Sequence, residues 1–190
     1  MKKESVVILA IVIFVGGFVV GAISGIQFYA KEHRNGDSRR PAPGENIPQA
    51  VNQDEISQWE AVVQKEPKNL PALVSLGNLY FDSHQPNKAI AAYERALAID
   101  PKNPDVLTDL GIMYREIKDY DRAVKEFREA ARIDGSHKNS RFNLAIVLQE
   151  DKKDIQGAIA AWRDYLRVDP TGERSAMAKA ELEELRGLAK

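Results

Sequence analysis

Three stretches of this chain are variations on one pattern: NKAIAAYERALAIDP, DRAVKEFREAARIDG and QGAIAAWRDYLRVDP. Aligned on Gly77, the pattern has a period of 34 residues. Leu73 then matches Leu107, Leu76 matches Leu110 and Leu144, and Gly77 matches Gly111 and Ala145. Tyr80 matches Tyr114 and Leu148, and Ala89 matches Ala123 and Ala158. Tyr93 matches Phe127 and Trp162, while Pro101 matches Gly135 and Pro170. The third unit is one residue longer, and the extra residue is expected in the loop EDKKDIQG, where an insertion disturbs least. Trp59 and Pro67 stand one period before Tyr93 and Pro101. Residues 54–67 therefore read as the second half of a unit whose first half is missing, with Asp54 as the expected N-cap.

The spacing of apolar residues within each unit is helical throughout, with no strand-like alternation. Small residues at Gly77 and Ala89 let the two helices of a unit approach closely, and Ala96 admits the first helix of the next. Tyr80 and Tyr93 fill the space between layers, since an aromatic buries a large area per residue. A single helix pair cannot cover its apolar face, so such pairs stack into a continuous core. The expected product is an all-α right-handed solenoid: a half repeat at 54–67, full repeats at 70–103, 104–137 and 138–171, and a closing helix in 172–190.

The pattern resembles that of tetratricopeptide repeats, whose small, aromatic and proline positions these residues occupy. The resemblance runs from Asp54 to about Pro170, and the last helix is similar to the family's capping helix. Repeat three departs, with Arg141 at a usually apolar position and Tyr165 at a usually small one. The resemblance implies a concave groove lined by the first helix of each pair, holding an extended peptide or a helix of a protein partner. Carried over position by position, the groove would take Val74, Asn78 and Phe81 from the first unit. It would take Thr108, Asp109, Ile112 and Arg115 from the second, and Asn139, Phe142, Asn143 and Ile146 from the third. The family's chaperone-binding members grip a C-terminal carboxylate with a Lys, Asn and Arg clamp, of which only Asn78 is matched here. Val74, Asp109, Asn139 and Asn143 stand at the other clamp positions, and Asp109 would repel a carboxylate.

Upstream of the repeats the composition changes twice. After the tail at 1–5, Val6 to Ala30 is an uncharged run, long enough at about 1.5 Å per residue to span a bilayer as a transmembrane helix. It is longer than the apolar core of a cleaved signal peptide; Ala22 and Ser24 offer a small-x-small cleavage site, but an uncleaved anchor is the expectation. Gly17, Gly21 and Gly25 fall four apart on one face of that helix, the spacing by which two membrane helices self-associate into a homodimer. Residues 31–53 carry three prolines, two glycines and no apolar periodicity. They read as a flexible linker with a reach of roughly 25 Å. Lys2 and Lys3 before the run are signal-anchor-like, while Lys31, Arg34, Arg39 and Arg40 after it favour the opposite orientation. The expectation is a single-pass protein with extracytoplasmic repeats, periplasmic if bacterial.

Charged residues make up 29% of the chain, yet the signs cancel to a net −1. No nucleic acid partner is expected from such a balance. The chain has no cysteine, which excludes disulfides, thiolate ligands and thiol nucleophiles. His33, His84 and His137 lie in the linker and turns with no metal-ligand spacing, and are expected to be solvated turn residues. No phosphate loop or nucleophile motif is present, so the chain is expected to be non-catalytic and to need no cofactor or metal. The expectation is a membrane-tethered scaffold that binds a protein or peptide partner. Two alternatives share the architecture. Accessory proteins of c-type cytochrome maturation are similar in layout, with an anchor and exported repeats that hold the apo-cytochrome tail. A self-assembling structural protein is the other.

Overall fold

The computed structural model describes residues 53–188. Within them the chain forms eight helices: α1 Gln53–Lys65, α2 Leu70–Asp82, α3 Pro86–Leu97 and α4 Pro104–Glu116, followed by α5 Tyr120–Ile133, α6 Lys138–Ile146, α7 Ile155–Val168 and α8 Ser175–Leu188. No strand occurs among the described residues. The fold is an all-α solenoid in which each helix packs on the next. Among the described residues no helix is long and apolar enough to cross a membrane. The apolar run at 6–30, with Gly17, Gly21 and Gly25, lies outside them.

Local chemistry sets the helix starts. The side chains of Asn69, Asn103, Asp119 and Asp154 accept the backbone N–H of Ala72, Val106, Arg122 and Gly157 at 2.9–3.1 Å. Each satisfies a donor that the first helical turn leaves open. Proline occupies the first turn of α2, α3 and α4, where its missing N–H costs nothing. In α1 the expectation needs correction: the helix already includes Gln53, so Asp54 lies inside its first turn.

Each first helix of a pair ends on a residue in the left-handed region: His84 (φ 54), Lys118 (φ 64) and Lys153 (φ 55). The residue after it closes the turn by donating its N–H back into the helix. Gln85 reaches Tyr80 and Asp119 reaches Tyr114, each five residues back, at 2.8 Å. In the third unit Asp154 reaches Leu148, six residues back, also at 2.8 Å. That difference is the inserted residue. The chain absorbs it not in the loop but as a π-helical turn, Val147–Asp151, at the end of α6. The turn keeps the extra residue hydrogen-bonded and leaves the closing geometry unchanged.

Packing repeats with the sequence. Tyr93, Phe127 and Trp162 are completely buried, each worth roughly 1.5–3 kcal/mol relative to exposure. Between units, the hydroxyl of Tyr114 on α4 donates to Glu94 Oε1 on α3 at 2.5 Å. One period earlier Tyr80 on α2 donates to Glu60 on α1. The half repeat thus supplies α2 with the same partner that a complete repeat supplies to α4.

Repeat three keeps the fold by local exchange. Arg141 is only 5% exposed. Its guanidinium donates to Asp164 Oδ2 at 2.9 Å and to the carbonyls of Ala131, Asp134 and His137 at 3.0–3.2 Å. It ties the end of α5 to α6 and α7. Tyr165 fills a site occupied by Ala96 and Ala130 in the earlier units, and the facing helix compensates. Ser175 and Ala178 of α8 are small and fully buried there. Polar residues stand at both ends of the stack, beside the exposed Met177 and Leu188 of α8. Glu55 and Gln58 of α1 stand where α3 has Ala89 and Ala92, and Lys179 and Glu183 are exposed on α8. Glu55 and Gln58 oppose the stacking of a further repeat on α1.

Candidate functional site: the face of the first helices

The first helices contact one another directly, α2 with α4 and α4 with α6, and no comparable set of contacts joins α3 to α5 or α5 to α7. The first helices therefore line the inner side of the stack. Asn78, Ile112 and Ile146 occupy the same position in successive units, and all are half-buried.

What stands opposite explains their identities. Tyr93 on α3 donates its hydroxyl to Asn78 Oδ1 at 2.8 Å. In the next units Phe127 has no hydroxyl and the indole N–H of Trp162 goes to Gln149 Oε1 at 2.6 Å. There the equivalent positions are Ile112 and Ile146. Asn78 thus has a structural role as an acceptor, and that interaction orients its amide so that the Nδ2 donors remain for the inner face. Polar and apolar choices along the groove follow the polarity of the aromatic tip beneath them.

The other expected groove residues divide. Val74, Phe81 and Asp109 are half-buried along the same helices. Thr108 is 4% exposed and donates its hydroxyl to Pro104 O at 2.8 Å, so it is a wall residue with no surface for a ligand. Arg115 pairs with Asp151 of the π-helical turn, linking units two and three. Asn143 donates through Nδ2 to Asn139 O at 3.0 Å, a bond within α6. Phe142 stacks edge-on against Trp162 and Tyr165 at 5.3 and 5.4 Å, and the Arg174 guanidinium covers its ring at 4.7 Å. Phe142 is mainly a packing residue between α6, α7 and α8.

Sequence reasoning missed three participants. His137 is no solvated turn residue. Its Nδ1 accepts the Ser140 N–H at 3.3 Å, capping α6, and its Nε2 meets Asp105 Oδ1 at 3.1 Å. The acceptor role of Nδ1 places the proton on Nε2, which donates to Asp105. That hydrogen bond holds the Asp105 carboxyl below its ordinary range. Gln149, one period after Arg115, accepts from Trp162 and donates to Glu181 of α8. Asp151 is the third, as the partner of Arg115. The 34-residue alignment could have pointed to Gln149; nothing local marks the other two.

Burial, reinforced by the neighbouring Glu60 and Glu94 carboxylates, pushes the hydroxyls of Tyr80 and Tyr114 up to about 12. Burial and Asp169 do the same for Tyr165. These groups stay neutral at physiological pH and act as donors. Among the described residues no three His, Asp or Glu side chains converge as metal ligands.

A family model described as TPR repeat matches residues 77–116, and one described as tetratricopeptide repeat matches residues 104–137. The second match spans the unit that begins at α4 and ends after α5. Residues 77–137 thus match tetratricopeptide repeats. The TPR solenoid is also similar to solved structures. The crystal structure of MamA is 22% identical, with a TM-score of 0.65 over 70% of this chain and 77% of that one. The first TPR of Spaghetti (RPAP3), bound to the HSP90 peptide SRMEEVD, is 21% identical, with a TM-score of 0.56 over 64% of this chain and 96% of that one. The Sgt2 TPR domain from Aspergillus fumigatus is 25% identical, with a TM-score of 0.56 over 63% and 78%. These likenesses establish the TPR fold. No curated protein matches the chain in sequence.

Proposed function

We propose that this chain is a non-catalytic scaffold, anchored by residues 6–30, that holds a peptide or helix of a partner protein along α2, α4 and α6. The reading rests on the row Asn78, Ile112 and Ile146, which runs along the inner face across all three units. The two isoleucines form an apolar floor, and the amide donors of Asn78 reach a backbone carbonyl. Tetratricopeptide repeats serve as protein-interaction scaffolds, and one structural neighbour holds a peptide. The bound segment here is not an acidic chaperone tail, because Asp109 stands where a carboxylate clamp needs a cation. Site-specific photo-crosslinking tests the reading, with a probe at Ile112 and a control at Arg95, exposed on α3. One discrete partner captured from Ile112 alone supports it. Equal capture from both positions, or only the chain's own dimer, overturns it.

The anchor places the repeats outside the cytoplasm in this proposal, with Gly17, Gly21 and Gly25 pairing two spans. The chain has no cysteine, so Arg95→Cys provides a unique label site. Labelling of intact cells by a membrane-impermeant maleimide is the expected result; labelling only after lysis would put the repeats inside.

A further inference from the structure

The first two interfaces between units share a three-part arrangement. A tyrosine of the first helix donates to a glutamate of the preceding second helix, and a cation of its own second helix lies over the ring. Tyr80 has Glu60 and Lys88, the latter 5.1 Å from the ring centre. Tyr114 has Glu94 and Arg122, the latter at 4.3 Å. At the third interface all three members change together. Leu148 replaces the tyrosine, Arg128 the glutamate and Gly157 the cation.

The exchange leaves space and alters charge. A cleft of about 710 Å³ lies at this interface on the outer side of α5, with Leu148 and Val124 at its floor and Arg128 in its wall. Compared with the upstream interfaces, the site has lost an anion and a cation and gained a different cation. Its other basic residues are already paired: Lys125 with Glu126, Arg132 with Glu129, and Lys152 with Asp121. Arg128 is exposed and has no acidic partner among the described residues; the remaining carboxylate of the lining, Asp154, caps α7 by accepting the Gly157 N–H at 2.9 Å.

We infer that this cleft receives a partner polypeptide through a carboxylate side chain on an apolar stem, the carboxylate seated on Arg128. The two upstream interfaces are the template: there an apolar body fills the space and ends at a hydrogen-bonding group on the second helix. With the glutamate acceptor replaced by a guanidinium donor, the complementary end is a carboxylate, which Arg can meet with two parallel hydrogen bonds. The mostly polar rim suits a solvated peptide segment rather than an apolar small molecule, whose pockets are lined chiefly by hydrophobic side chains. This surface is separate from the inner face of α2, α4 and α6, so the inference does not depend on that reading.

The test is a methyl-detected NMR titration of the full-length chain with three terminally blocked peptides, Gly-Phe-Glu-Gly, Gly-Phe-Gln-Gly and Gly-Phe-Lys-Gly. The Glu peptide is expected to shift the methyls of Val124 and Leu148 saturably, with the Gln and Lys peptides about tenfold weaker or worse. Arg128→Glu, an exposed change, is expected to abolish the Glu-peptide shifts while leaving the spectrum folded. The double variant Arg128→Glu with Leu148→Tyr restores the upstream pairing and is expected to close the site. No saturable shift, equal affinity for the Glu and Gln peptides, retained binding in Arg128→Glu, or shifts confined to Ile112 and Ile146 would each overturn the inference.

Discussion

Gly77 lies so close to Tyr93 that a Cβ built on it would stand 2.5 Å from the ring's Cε1. Gly111 has the same relation to Phe127, at 2.6 Å. The contact sets how near the two helices of a unit can come. Gly77→Ala and Gly111→Ala are each expected to cost about 1–3 kcal/mol in urea unfolding, overpacking outweighing the roughly 1 kcal/mol of helix propensity that Ala adds. Gly187→Ala meets nothing within 4 Å and is expected to be neutral or slightly stabilising. A stable Gly77→Ala protein would refute the close-approach role.

The hydrogen bond from Tyr93 to Asn78 predicts a coupled pair. Asn78→Ile is expected to cost about 1–2 kcal/mol, because it removes an acceptor from a buried hydroxyl. Tyr93→Phe combined with Asn78→Ile reproduces the Phe127 and Ile112 pair, and is expected to recover about 1 kcal/mol relative to additivity. A double-mutant cycle measures this directly. Strict additivity would mean the bond contributes nothing to stability.

The three left-handed residues are sites where glycine is expected to stabilise. Lys118→Gly and Lys153→Gly should each raise stability by about 0.5–1 kcal/mol, the relief of the left-handed conformation exceeding the entropy glycine adds to the unfolded chain. Thermal midpoints of the single and double variants check the effect. A fall in both would show that the lysine side chains contribute more than the strain removes.

Arg141 makes a different prediction. Arg141→Lys is expected to be destabilising by about 3 kcal/mol, nearly as much as Arg141→Leu. An ammonium cannot span Asp164 and three carbonyls at once, and a buried network broken at one member is costly. Full rescue by Lys would show that charge alone is what the site needs.

The phenols of Tyr80, Tyr114 and Tyr165 give an alkaline signature. Their folded pKa values, about 12, lie above the ordinary value of 10.0. The native state therefore holds these protons more tightly than the unfolded state. Their contribution is complete below pH 10 and is lost as pH rises toward about 12. Urea midpoints should fall across that window, and the fall should be shallower in Tyr114→Phe. An unchanged slope would exclude that phenol as a contributor.

Much of the fold was legible because it is written locally and then repeated. The period of 34 located the second helices through Trp59, Tyr93, Phe127 and Trp162, and the proline and Asn or Asp starts marked most helix ends. The inner-face positions Asn78, Ile112 and Ile146 followed from the same register. Thr108 was placed one step wrong in depth: equivalence to Val74 gives the helix face, but burial depends on how closely neighbouring helices approach. The extra residue of unit three was read as loop because a π-helical turn has no compositional mark.

The sequence by itself determined which residues form helices, which face each helix buries and how the helices succeed one another, because those properties depend on spacing within one turn or one period. Only the tertiary structure decided which polar atoms meet. It paired Tyr93 with Asn78, His137 with Asp105, Gln149 with both Trp162 and Glu181, and left Arg128 beside a cleft where Leu148 stands for tyrosine. Each of these depends on a distance between groups 13 to 32 residues apart. No local pattern encodes such a distance; it exists only once the stack has closed and buried donors must find acceptors.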